Sequence, residues 1–436
     1  MPSEVDPASA RHFACWVVWK LREAGHEALW AGGCVRDELL KIVPSDYDVA
    51  TSAKPNEVRE CFGPRRTLGI GAAFGVIQVR GRPGEGNVEV ATFRSDASYS
   101  DGRHPDHVCF STPPEDAKRR DFTMNGLFYD PLRDQVIDYV GGRDDLEAGI
   151  VRAIGDPYTR IAEDKLRMLR AVRFAVTFGF DIEPGTEAAV RSEAAGITMV
   201  SAERIAMELR KMLVHPHRRR AVELLRNVQL LRVILPESEL LWAPTASFQS
   251  ATEAEAASWV NTLGILDQLN QPTFRMALAG LLWGINARAV EADAVKSICE
   301  RWKLSNHDKN GVIWMLDRQR LVRAAESVPW SRLQPVLVTP GIDELLGLAQ
   351  AIAIEIDGSP RQIEFCRRKL QLPPSRLNPP PLITGNDLQR AGFPAGPLFR
   401  RILQHVRDAQ LEGRIATSRE ALKMAHAVAR EAEQGK

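Results

Sequence analysis

The chain has 436 residues, too many for one ordinary core, and roughly 100–200 residues per domain suggests about three or four units. Its 44% apolar and 26% charged content is that of a soluble globular protein, and it has no apolar run long enough to span a bilayer as a helix. A net charge of +1 gives no sign of a nucleic-acid partner over the chain as a whole.

The opening residues MPSEVDPASARHF are mildly acidic and lack the basic-then-apolar pattern of a signal peptide, so the chain is expected to stay in the cytoplasm. Residues 8–24 place Phe13, Trp16, Val17 and Leu21 at helical spacing, and a short apolar strand, Ala28–Ala31, then runs into Gly32-Gly33. A helix follows through Leu40. DYDVAT alternates as a strand does, and KPNEVRECF, with Pro55 near its start, reads as a helix. Gly75–Arg80 and Asn87–Phe93 are β-rich runs separated by the turn GRPGEG. After Asp144 the strands are expected to stop. Helical periodicity then runs almost to the end, broken by DIEPGTE, HPH, LNQPTF and the proline cluster at 372–385, the best linker candidate. The six cysteines (Cys15, Cys34, Cys61, Cys109, Cys299, Cys366) are widely scattered and read as reduced thiols, with no disulfide and no zinc site. Between Ser201 and Leu235, eight Lys/Arg stand against three Glu, which suits either a basic binding face or an ordinary solvated helix surface.

Three short stretches carry chemistry. In SDYDVAT, Asp46 and Asp48 stand two apart in a strand and so share a face, about 7 Å apart at the backbone. Two carboxylates pointing one way into low dielectric raise each other's pKa, a cost that a divalent cation removes; magnesium is held by one or two carboxylates plus water and phosphate oxygens. An edge strand with both acids in water gives the same pattern. In AGGCVRDELL, Gly32 and Gly33 lie between a strand and a helix, where backbone N–H groups and the helix dipole favour an anion and Arg36 can bridge phosphate oxygens; a tight ligand-free connection needs the same glycines. In NVEVATFR, Glu89 is an acid inside an apolar strand, as two-metal phosphoryl transfer requires of a third carboxylate, or as a solvent-facing strand position allows.

Taken together, the order G-G-x-V-R-D, D-x-D, E-V-A-T-F-R resembles the class II tRNA nucleotidyltransferases, the CCA-adding and bacterial poly(A) polymerase family of the DNA polymerase β superfamily. DGRHPD (101–106), RRDFTMNG (119–126), GGRDDLEAGIVRAIGDP (141–157), EDKLRMLRAVRFA (163–175) and SAERIAMEL (201–209) extend the likeness over residues 30–210. The resemblance implies an α+β chain: a nucleotidyltransferase head with a small mixed sheet (1–140), then an all-helical neck (141–215), body (216–371) and tail (372–436). It implies Mg²⁺ on Asp46 and Asp48, with Glu89 as the third catalytic carboxylate. The reaction would be attack of a tRNA 3′-hydroxyl on the α-phosphate of CTP or ATP, releasing pyrophosphate. Gly32, Gly33, Arg36, Arg119, Arg120, Asp121, Asn125, Asp164, Arg167 and Arg170 are the implied nucleotide-binding residues, with Asp121 and one arginine at the sugar. A helical projection of 163–175 puts Glu163, Asp164, Arg167 and Arg170 on one face and Leu166, Leu169 and Val172 on the other. An Asp carboxylate accepts from the exocyclic amine of C or A while an Arg donates to the adjacent ring nitrogen; U and G present the reverse order.

Among family activities, full CCA addition is favoured, because LGIGAAFGVIQV (68–79) resembles the tRNA-processing type and the loop SYSDGRHPDHV (98–108) is full length. A-adding, CC-adding and poly(A)-adding enzymes are the alternatives, and a non-catalytic RNA-binding protein is the rival from another class. The body resembles a degenerate His-Asp phosphohydrolase, with Asn261 and Trp283 where metal ligands would be needed. In the tail, Arg400 and Arg401 beside a Gly/Pro turn suit tRNA phosphates, as they suit a plain helix cap.

Overall fold

Strand β1 (Ala28–Ala31) is buried along its whole length, and the sheet is assembled around it. The computed structural model describes residues 5–71, 75–96, 108–242, 258–288, 293–393 and 396–434. The motif 101–106, all but the last residue of the loop 98–108, and positions 72–74 of the stretch 68–79 lie outside the described residues. The chain divides into a first unit, Met1–Pro236, and a second, Glu237–Lys436.

The first unit carries β1, β2 (Tyr47–Thr51), β3 (Thr67–Gly71), β4 (Val76–Arg80), β5 (Asn87–Thr92), β6 (Arg94–Asp96), β7 (Val108–Phe110), β8 (Phe128–Asp130) and β9 (Gln135–Ile137). Seven of these form one mixed sheet in the order β3-β4-β5-β2-β1-β8-β9, and β6 pairs with β7 apart from it. Within the sheet only β2 and β5 run parallel, with Asp48 beside Glu89. The pleat separates two faces. On one, Trp30 and Tyr47 pack ring to ring under helix α1 (Pro7–Glu23), whose Asp6 side chain accepts from the Ser9 N–H. On the other, Leu29, Ala31, Ala50, Phe93 and Phe128 pack with Ala117 of α4 (Pro113–Lys118), and Asp48 belongs to this face.

Helix α2 (Gly33–Leu39) follows β1 directly, and α3 (Pro55–Phe62) packs an edge of Phe62 on Trp16. Further on lie α5 (Gly142–Ala148), α6 (Pro157–Glu163), α7 (Arg167–Phe178), α8 (Pro184–Glu193) and α9 (Ala202–Val214). Two details differ from the sequence expectation. Strands do not stop at Asp144: Ile150–Val151 pairs in parallel with Asp181–Ile182, pairs too short to show a period. Nor is 163–175 one helix. Asp164 is extended, at φ −145° and ψ 105°, and its Oδ1 accepts the Leu166 N–H at 3.0 Å, a local turn bond that competes with helix continuation. The expected apolar side survives the break, since Leu166, Leu169 and Val172 are all buried.

In the second unit, every described element is a helix. Helices 274–288, 306–323 and 342–352 pack around buried Leu278, Leu281, Met315 and Leu348. A separate cluster in 383–429 holds Ile383, Leu388, Ile402, Val406 and Ala425. The proline segment is tied down: Arg407 donates to the Pro379 carbonyl at 2.7 Å and Gln410 to that of Pro380 at 2.8 Å. Among the described residues no single helix is long and apolar enough to cross a membrane.

One turn near the sheet is locally strained. Lys41 adopts φ +59° just past α2, where its N–H meets the Glu38 carbonyl and the Ile42 N–H that of Asp37, a Schellman ending usually made by glycine. Replacing Lys41 by Gly removes the left-handed penalty, against a smaller loss through the unfolded chain. Thermal unfolding should rise by about 1–3 °C, consistent with up to about 1 kcal/mol.

Candidate active site

Parallel pairing of β2 with β5 makes Asp48 and Glu89 neighbours on one sheet face, and Asp46 stands one residue before β2. Burial pushes the Asp48 carboxyl up to about 7, helped by the charges of Asp46 and Glu89 and opposed by Arg120. Cys34 of α2 directs its sulfur at the Asp48 carbonyl, and burial raises that thiol to about 12, so it is inert support and not a nucleophile.

Asp46 and Asp48 open onto a cavity of about 590 Å³. Gly32, Gly33, Asp46 and Asp48 line one part of it, and Asp164, Arg167, Arg170 and Arg173 another. Gly32 is required twice over. Its φ is +74°, and a Cβ there would lie 2.6 Å from Arg120 Nη1. Its own N–H is committed to the Leu127 carbonyl, so an anion at this turn would be met by the N–H groups of the first turn of α2.

A chain of polar contacts connects the sheet side to the helical side. Arg36, stacked 4.5 Å from the Phe178 ring centroid, forks onto Asp37 and donates to Asn125 Oδ1 at 2.7 Å. Asn125 donates to Asp121 Oδ1 at 3.0 Å, and Arg170 closes on Asp121 Oδ2 at 2.6 Å. Burial would raise the Asp121 carboxyl, but Arg170 and Asn125 outweigh it and hold it down at about 2. Counting the Phe122 N–H and both Arg170 donors, its roughly four lone-pair sites are taken.

Arg119 and Arg120 are set by a residue that motif reading passed over. Asp116, 1% exposed, takes Arg119 on one oxygen at 2.7 Å and Arg120 on the other at 2.9 Å. Burial opposes its ionisation, yet the two guanidinium groups keep its pKa below the ordinary range. Losing one partner of such a buried arrangement typically costs about 3–5 kcal/mol.

Asp164 and Arg167 both reach the cavity; the Arg167 N–H donates to the Asp164 carbonyl at 3.0 Å, but their side chains take different partners. Asp164 Oδ2 accepts from Arg204 of α9 at 2.9 Å, and Arg167 pairs with Glu163. Every residue that the resemblance implies for catalysis or nucleotide binding lines the cavity except Glu89, which flanks Asp48 outside its wall. Arg94, Arg173 and Phe174 line it as well. The three-residue spacing Arg167, Arg170, Arg173 is a visible signal for one of them; Arg204, and Glu208 behind Arg173, come from 35 or more residues away and leave none. The cation-rich stretch 201–235 is not one continuous face: Arg204 turns to the cavity side, Arg218 is buried, and Arg219 and Arg220 pair with Glu223 and Asp181. In the second unit a cavity of about 680 Å³ beside Leu382, Phe399 and Leu403 is mainly apolar and has no carboxylate in its lining.

Among the described residues, no three His, Cys, Asp or Glu side chains group tightly enough to cage a metal. The chemistry of Asp46 and Asp48, two hard oxygen donors, fits a divalent cation that takes its other ligands from water and phosphate, and the raised Asp48 carboxyl is what such a charge would relieve.

Comparison with known proteins gives a consistent result. Residues 28–152 match the poly A polymerase head domain, 179–241 the RNA and SrmB-binding site of polymerase A, and 275–425 tRNA nucleotidyltransferase domain 2. The CCA-adding enzyme of Lactobacillus gasseri is 31% identical over 93% of this chain and 94% of its own length. That of Geobacillus kaustophilus is 31% identical over 94% and 95%. Among solved structures, the Bacillus stearothermophilus CCA-adding enzyme in complex with CTP superposes with a TM-score of 0.73 at 26% identity, covering 97% of this chain and 98% of that one. The Thermotoga maritima CCA-adding enzyme complexed with tRNA shares the fold, with a TM-score of 0.65 at 22% identity over 97% and 96%.

The Asp48 carboxyl generates a prediction. Its folded pKa lies above that of the unfolded chain, so the ionised form opposes folding; the penalty is full above about pH 7 and fades as pH falls toward 4. In EDTA at pH 8, Asp48→Asn should melt higher than wild type, the gap should close near pH 4, and added Mg²⁺ should raise the wild-type midpoint more than the variant's.

Proposed function

Because the chain belongs to the CCA-adding tRNA nucleotidyltransferase family, we propose that it adds C, C and A to tRNA 3′ ends from CTP and ATP, in the cytoplasm, with Mg²⁺ as the divalent ion. The observation that carries this reading is one cavity with paired carboxylates at one part and an Asp164–Arg167 pair at another, with arginines between.

Asp46 and Asp48 would hold the ion, with Glu89 adding negative charge beside them. When bound, the ion lowers the pKa of the attacking 3′-hydroxyl and takes up charge as pyrophosphate departs. The chain's own residues chiefly position the reactants. Arg36 and Arg120, rigidly held, offer cationic surface to the triphosphate beside the Gly32 turn. Asp121, with Arg170 locked to it and Asn125 beside it, stands at the sugar together with one arginine. Asp164 accepts from the amine of C or A, and Arg167 donates to the ring nitrogen; U and G would set donor against donor there. In this reading residues 1–140 perform the chemistry, 141–215 read the base, and the tail 372–436, with Arg400 and Arg401, grips the tRNA.

Incubation with tRNAs ending in N, NC and NCC and each labelled triphosphate tests the activity directly: C, C and A should be added in turn and no others. Addition of A alone, C alone, or a long A tract would assign a different family activity, and binding without turnover would overturn the enzyme. Asp48→Ala should abolish incorporation with tRNA affinity unchanged, measured by filter binding. Arg167→Ala should reduce discrimination against UTP and GTP by roughly 10–100-fold, the worth of one bidentate base contact of about 1–3 kcal/mol.

A further inference from the structure

The guanidinium of Arg167 is held in a cradle of three acceptors. Its Nη1 donates to the Arg160 carbonyl at 2.7 Å and to Glu163, and its Nη2 donates to the Arg119 carbonyl at 3.3 Å. That use leaves Nε–H and one Nη2–H for a base. Arg160 organises the same cradle from the other side. Besides lending its carbonyl, it donates through Nη1 to Glu163 Oε2 at 2.8 Å and more weakly to the Arg119 carbonyl at 3.4 Å, while Nε anchors on the Ile154 carbonyl at 3.1 Å. Both arginines are largely withdrawn from water, with side chains 15% and 11% exposed, so solvent competes little for these bonds.

One carboxylate thus serves two cations. With Arg160 present, the charge of Glu163 is shared, and Arg167 is steadied without being drawn fully onto it. Without Arg160, the whole charge of Glu163 faces Arg167 alone, in a site of low dielectric where such a pull is strong. We propose that Arg160 is a positioning residue for nucleotide selection: by sharing Glu163 and the Arg119 carbonyl with Arg167, it sets how far the Arg167 guanidinium reaches toward the incoming base. The proposal deepens, and rests on, the reading of Asp164 and Arg167 as the base-contacting pair.

The consequence is selective. Drawing Arg167 back removes a contact made only to C and A, so Arg160→Gln should lower kcat/KM for CTP and ATP about tenfold, mainly through KM, and leave misincorporation of UTP and GTP unchanged. Arg160→Lys keeps the charge on Glu163 but not the fork, and should restore part of the loss. In Arg160→Gln combined with Glu163→Gln, the carboxylate that pulls on Arg167 is gone, and selectivity should recover relative to the single variant, a coupling that independent sites would not show. Rates are measured on the full chain with tRNA ending in N, alongside tRNA affinity and melting temperature. An equal fall for all four triphosphates, unchanged selectivity in Arg160→Gln, or strict additivity in the double variant would overturn the proposal. If Arg160→Gln fails to fold, Arg160→Lys decides it, since a shift in its C-to-U ratio supports the assignment and an unshifted ratio defeats it. A wild-type protein that incorporates U as readily as C would instead overturn the reading of Asp164 and Arg167, whatever Arg160 does.

Discussion

The half-buried ion pair between Asp121 and Arg170 holds the two halves of the cavity in register. Asp121 follows the paired arginines beyond α4, and Arg170 lies on α7. Their contact is short and partly shielded from solvent, and Asn125 and Arg36 continue it to the helix that leaves β1. A carboxylate so fully engaged is a fixed element. The acids of β2 and the arginines of α7 therefore face one space across a framework with little freedom to drift, which suits chemistry that depends on placement.

Among the described residues of this region, each acid withdrawn from water is stabilised by an opposite partner, Asp48 excepted. Asp116 carries two arginines, Asp121 one, Glu163 two and Asp164 one. Asp48 has Asp46 and Glu89 nearby and only the more distant pull of Arg120, and its carboxyl is the one pushed up to about 7. A fold that neutralises its other buried acids and leaves this one costly supports the proposal that the D-x-D pattern holds a cation from outside the chain.

The helix expected through 163–175 is interrupted at Asp164 because that side chain accepts the Leu166 N–H. The interruption matters, since in an unbroken helix Asp164 and Arg167 would be one turn apart and available to each other. Broken, the segment hands Asp164 to Arg204 and Arg167 to Glu163, so each is oriented by a different neighbour while both reach the cavity. Periodicity shows which faces are apolar, and Leu166, Leu169 and Val172 are indeed buried. It is blind to a side chain that satisfies the backbone locally.

Much was legible in the linear chain because it is local. The strand-glycine-helix order at 28–39, the alternation of Tyr47–Thr51, the paired acids and the three-spaced arginines each depend on residues a few positions apart. The family likeness rests on such short strings and covers the cavity's wall, Arg94 included as the last residue of E-V-A-T-F-R. Other features required the fold. That Asp48 has Glu89 as its neighbour follows from a parallel pairing between segments forty residues apart, and the single commitment of Asp116 to Arg119 and Arg120 follows from side-chain reach. The cradle joining Arg119, Arg160, Glu163 and Arg167 draws on two separated segments. Sequence by itself determined the chemical types, their local spacing and the family. Tertiary structure decided which charges meet, because a carboxylate's partner is set by distance in space and by exclusion of water, and neither quantity is written in the order of residues.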